Sequence, residues 1–137
     1  SMTGQRRDLN REKFKLDNLV SVLNNPESNA NKNIKYLGNA MDIRSKLEQF
    51  HPSSEMECLS KGRSDIVVIK RGKGPKSVFA IHNMTENKIN YQLDDYDLPE
   101  LIDNDFNMKD FLASTKYNWK NISLDPFQVI WLGSLMK

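Results

Sequence analysis

A single cysteine, Cys58, and only two histidines, His51 and His82, limit the chemistry open to this 137-residue chain. One thiol excludes an internal disulfide and a cysteine-rich zinc site, and it fits a reducing compartment, so the expected location is the cytoplasm. Charge of one sign is missing as well: 20 Lys and Arg stand against 18 Asp and Glu, a net charge of +2, with the basic residues scattered. Such a surface gives no electrostatic footprint for nucleic acid, and none is expected as a partner. No apolar run approaches the roughly 18 residues of a membrane-spanning helix, so no membrane partner is expected either. The chain is also far shorter than the roughly 250 residues of an enzyme barrel.

Catalytic signatures are equally sparse. No G-x-S-x-G, G-x-x-x-x-G-K-[ST] or H-E-x-x-H occurs, and the glycines of RGKGPK (71–76) lack the strand and helix setting of a phosphate loop. No two carboxylates sit in an apolar frame that would push their pKa values apart. The acid-rich stretch DDYDLPELIDNDF (94–106) lacks the glycine and closing glutamate of a calcium loop. No metal and no cofactor are therefore expected.

What is present is β-structure. Ile66–Ile69, Val78–Ile81 and Ile89–Leu93 are apolar runs separated by RGKGPK and NMTEN, both rich in turn residues. Their β-branched content and the alternation of Ile89, Tyr91 and Leu93 with polar neighbours predict antiparallel strands with one buried face. Met56–Leu59 reads as a further strand, and Ile122–Leu124 with Phe127–Leu132, joined at Asp125 and Pro126, as the pair that closes the sheet. Val68, Phe79, Ile81, Tyr91, Ile130 and Trp131 are expected in one two-sheet core, with RGKGPK and NMTEN at hairpin tips. The stretch 94–120 is expected to be a long connection with one helical turn.

Helices are expected only before the strands. Asp17 is placed to cap a short helix, and Asn25 followed by Pro26 to cap a second one ending before His51 and Pro52. Tyr36, Leu37, Ala40, Met41, Ile43, Leu47 and Phe50 give the second helix an apolar stripe that needs a large partner surface. His51 reads as a helix-end residue and His82 as a strand imidazole. Trp119, in KYNWKN, reads either as a residue packed on the sheet or, with Tyr117, as an exposed platform on which a sugar could stack. The opening TGQRRDLNREKF carries Arg6, Arg7 and Arg11 on a loop without helical or alternating period, and forked arginine hydrogen bonding suits carboxylate, phosphate or sugar hydroxyls.

Taken together, GQRRDLNREKF, VFAIHNMTENKINYQL and ISLDPFQVIWL resemble the C-terminal portion of sucrose phosphorylase-like enzymes of glycoside hydrolase family 13. In that family a G-R-D-I-N-R motif follows the eighth barrel strand, and a last barrel helix then leads into an all-β domain. The resemblance implies an antiparallel β-sandwich of the amylase C-terminal type after N-terminal α-helices, with residues 1–52 as active-site loop remnant and last helix of a (β/α)8 barrel, and 53–137 as the β-sandwich. It implies a parent that moves glucose between a glucoside and phosphate by a retaining double displacement, its catalytic carboxylates lying on barrel strands that this chain lacks. Arg7 aligns with the arginine that reaches the glucosyl unit; Asp8, Asn10 and Arg11 would hold that loop in shape. The expected partner is then the missing barrel, with glucosides and phosphate bound only in the complete enzyme, and self-association through the helix stripe where no barrel covers it. Two rival readings stand beside this one. One is a free-standing carbohydrate-binding β-sandwich, which would show saturable stacking on Tyr117 and Trp119, and the other is a protein-interaction module using the apolar helix.

Overall fold

A computed structural model describes residues 15–94, 98 and 107–134. The chain divides into two compact units, one up to Ala40 and one from Met41 onward.

The first unit holds helix α1 (Leu16–Asn24) and the first turns of helix α2 (Asn29–Lys46). Asn25 closes α1 rather than opening α2: its backbone is extended and its N–H reaches the carbonyls of Ser21 and Val22. The cap of α2 is Ser28, whose hydroxyl accepts from Asn31 N–H at 3.1 Å and donates to Val22 O at 2.6 Å. Asn31, 9% exposed, donates from Nδ2 to Leu23 O. The corner is thus fastened by polar side chains, while α1 buries none of its residues and Leu16, Val20, Val22, Ile34 and Leu37 are exposed.

In the second unit α2 ends at Lys46, short of the proline expected to stop it, and a 3₁₀ turn at Glu48–Phe50 follows. Six strands then form one antiparallel sheet in the order β1 (Met56–Cys58), β2 (Ile66–Arg71), β3 (Val78–Asn83), β8 (Val129–Gly133), β5 (Asn107–Asp110) and β6 (Lys116–Asn118). A second sheet pairs β4 (Ile89–Tyr91) with β7 (Ile122–Leu124), also antiparallel. The late strand pair does close the fold, one member joining each sheet. NMTEN is not a hairpin tip, however; it carries the chain from β3 in the large sheet to β4 in the small one. The region expected to be a connection supplies β5 and β6, and most of the acid-rich stretch where a helical turn is expected lies outside the described residues.

Period-two alternation sets the core. Ile66 and Val68, Phe79 and Ile81, Ile130 and Leu132 point from three neighbouring strands toward Ile122 and Leu124 of the small sheet, all fully buried, with Leu93, Met108 and Trp119 beside them. Each such side chain stabilises by about 1.5–3 kcal/mol relative to exposure. Tyr91 packs at the margin of this core. Trp131 does not belong to it. Standing between Ile130 and Leu132, it must face the other side of the sheet, where it lies opposite Ala80 and meets Phe50 with ring centroids 4.7 Å apart.

Candidate functional site

Arg7, Asp8, Asn10 and Arg11 lie outside the described residues. Of the two aromatic candidates, Trp119 is 3% exposed, so it offers no face to a sugar; its indole fills the core, with Lys120 Nζ 4.9 Å from the ring centre. The polar neighbours of KYNWKN belong to a turn, closed by Asn121 N–H to Asn118 O, that folds the indole inward. Tyr117 is half-buried against the core and its hydroxyl accepts from Gln128 Nε2 at 3.1 Å. Neither is an exposed platform, and of the two readings of Trp119 it is the packed one that holds.

Two joints organise the surface of the second unit. At one end of the large sheet Arg71 closes the chain onto β2: Nε donates to Gln49 O at 3.1 Å and Nη2 to His51 O at 2.8 Å. Gly72 allows this approach, since a Cβ at its φ of +81° would lie 2.9 Å from Gln49 Cγ. Phe50 is thereby laid on Trp131. The adjacent polar groove of about 430 Å³, lined by Glu48, Gln49, Glu55, Lys73 and Lys76, is crossed by ion pairs from Lys73 to Glu55 and Lys76 to Glu48. Its charges answer one another.

At the other end Asn83, 2% exposed, is the hub. Its Nδ2 donates to the carbonyls of Asn87 and Asp125, and its Oδ1 accepts from Thr85 N–H and hydroxyl, at 2.7–2.9 Å. These bonds hold the turn Asp125-Pro126-Phe127-Gln128, which is closed by Gln128 N–H to Asp125 O at 3.1 Å. Proline suits the second place of a type II turn, but the third place needs positive φ and is ordinarily Gly or Asn. Here it is Phe127, at φ +54° and 66% exposed. A bulky residue in that conformation costs about 1–3 kcal/mol. Met84, 54% exposed, stands next to Thr85, whose carbonyl accepts Phe127 N–H at 3.0 Å.

His82, half-buried in β3, has its pKa lowered by burial, and Cys58, exposed, has its pKa lowered by hydrogen bonds from Ser60. Among the described residues no three His, Cys, Asp or Glu side chains converge as metal ligands, and no helix is long and apolar enough to cross a membrane.

No family profile and no curated protein matches the sequence. Among solved structures the chain is similar to an α-amylase of Anoxybacillus, with TM-score 0.60 and 18% identity over 82% of this chain and 25% of that one. It is similar also to AmyP, solved in complex with maltose, with TM-score 0.57 and 17% identity over 75% of this chain and 21% of that one. A third is trehalose-6-phosphate hydrolase of Bacillus licheniformis, with TM-score 0.56 and 17% identity over 82% and 19%. At such identities the likeness is one of fold, and it is the β-domain fold of amylase-like enzymes. The chain spans 19–25% of the length of these three enzymes.

Proposed function

We propose that this chain is the C-terminal part of a cytoplasmic, amylase-superfamily enzyme of the sucrose phosphorylase-like kind, acting as a structural domain with no chemistry of its own. The observation that carries this reading is the asymmetric likeness: 82% of this chain superposes on an α-amylase of which it makes up only 25%. The exposed apolar residues of α1 and α2 support it, because Leu16, Val20, Val22, Ile34 and Leu37 find no cover among the described residues of their own unit. In the parent they would pack on the (β/α)8 barrel, and without it they would drive self-association. Arg7 would donate forked hydrogen bonds to a glucosyl hydroxyl, with Asp8, Asn10 and Arg11 shaping its loop. Glucose transfer between a glucoside and phosphate would then use carboxylates of the barrel, about 5 Å apart in a retaining enzyme.

The test is reconstitution. Co-expressed with the barrel of a sucrose phosphorylase-like enzyme lacking its own C-terminal part, the chain should co-purify and restore phosphate-dependent release of glucose 1-phosphate. The chain alone should release none. Arg7→Lys should lower the reconstituted rate at least about tenfold, or roughly 1.4 kcal/mol. Activity of the isolated chain would refute the structural role, and an unimpaired Arg7→Lys complex would refute the role of Arg7.

A further inference from the structure

From the Asp125–Gln128 turn we infer that Phe127 is a stacking platform for a glucosyl ring, giving this domain a contact point for an α-glucan chain. The stacking stands on the geometry below; the α-linked nature of the glucan rests on the amylase-like reading above.

Phe127 is the most exposed ring among the described Phe, Tyr and Trp residues, and it stands where the backbone favours Gly or Asn. The hydrogen bonds of the turn hold the backbone in this conformation, but the phenyl gains little packing in return, since the residue is 66% exposed. A local rule broken without an internal gain marks a position held for an outside contact. The backbone that carries the ring is also held before any ligand arrives. Its own N–H is bonded to Thr85 O, Asp125 O accepts from the buried Asn83, and Asp125 N–H donates to Gln128 Oε1 at 2.8 Å. Little backbone ordering remains to be lost on binding.

Size selects the partner. The exposed apolar surface here is three side chains, Pro126, Phe127 and Met84, whereas a stable protein interface needs about 800 Å² from each partner. One phenyl ring matches one pyranose ring, which presents C–H groups on its face and hydroxyls around its rim. Polar groups belong to the same turn: Asp125, two residues before Phe127, makes a largely exposed ion pair with Lys88 at 3.2 Å that can offer donors and acceptors to hydroxyls. An apolar face with a few placed polar groups is what binds an amphipathic ring of this kind.

Native electrophoresis of the chain through gels containing amylopectin reads the contact directly. Wild type should be retarded as amylopectin increases, and Phe127→Gly, which keeps the turn, should weaken that retardation at least about tenfold. Phe127→Tyr, which keeps the ring, should retain it. In wild type, maltoheptaose should shift the backbone amide resonances of Thr85 and Gln128. Unchanged wild-type mobility, or equal retardation of a folded Phe127→Gly variant, would overturn the proposal. Neither outcome bears on barrel pairing, which reconstitution tests separately. Retardation that survives a failed reconstitution would uphold the stacking site.

Discussion

Replacing Asp110 by Ala should be among the most damaging single changes available to the β-domain. Asp110 ends β5 and is 1% exposed. Its Oδ1 accepts from Leu112 N–H at 3.0 Å and from Trp131 N–H at 2.9 Å, and its Oδ2 from Ala113 N–H at 3.2 Å. The carboxylate thus secures the tight turn that follows, where Ser114 has φ +61°, and also completes the ladder to β8, in which Phe111 N–H donates to Trp131 O. Alanine would leave three donors without an acceptor. A buried donor left unpaired costs about 1–3 kcal/mol. Trp131 N–H lies within the sheet and bears the full penalty, while the two turn amides regain part of theirs from water, giving a loss of about 3–5 kcal/mol. Asparagine can keep Oδ1 in place with two of the bonds, but sets its amide nitrogen against Ala113 N–H, for a loss of about 1–2 kcal/mol. Equilibrium urea unfolding, followed by tryptophan fluorescence and circular dichroism, measures both. A loss below about 1 kcal/mol for Asp110→Ala, or equal losses for the two variants, would refute this account.

Gly133→Ala would place a Cβ 2.4 Å from Phe111 Cε2 and should destabilise by about 1–3 kcal/mol in the same assay. Phe127→Gly should leave stability unchanged or raise it by up to about 1 kcal/mol, because relieved strain is set against glycine's larger entropy loss. A clear loss would show that the ring is needed by the fold. For His82 the folded pKa lies below the ordinary 6.5, so the unfolded chain binds the proton more tightly. Its contribution should be complete above about pH 6.5 and decline as the pH falls toward the lowered value, and His82→Gln should flatten that part of a stability-against-pH curve.

Strands with strict alternation and β-branched residues could be read from sequence: β2, β3 and β8 fall where expected because each carries enough apolar surface to mark its own buried face. β5 and β6 could not, since NMKD and KYN present only Met108 and Tyr117 to the core and owe their conformation to the ladder on β8. Trp131 was misplaced by size rather than parity, for Ile130 and Leu132 already commit their neighbour to the opposite face. Among the aromatics, Trp119 attracted attention as a candidate surface residue through its polar neighbours, although it is buried. Phe127 reads in the sequence only as the start of a strand; the signal that could have found it is its place in D-P-F-Q, which a type II turn reserves for Gly or Asn. Nothing local in NMTEN told a hairpin from a passage between sheets; that depends on where the distant strands β7 and β8 dock.

The place of β8 in the middle of the six-stranded sheet also sets a timetable. β3 cannot acquire its second neighbour until Val129 has been made, 46 residues after Asn83 (129 − 83), and the pair β5–β6 has no other attachment to the large sheet. At about 5–20 residues per second, synthesis leaves β1–β3 with an open apolar edge for roughly 2–9 s. During that interval Phe79 and Ile81 stand on an edge strand with unpaired N–H and C=O groups, the kind of surface that recruits a neighbouring nascent chain. Arrival of the last strand joins both halves at once. Folding of the large sheet should therefore finish late, and the open β1–β3 edge is the form a protease should find until β8 arrives.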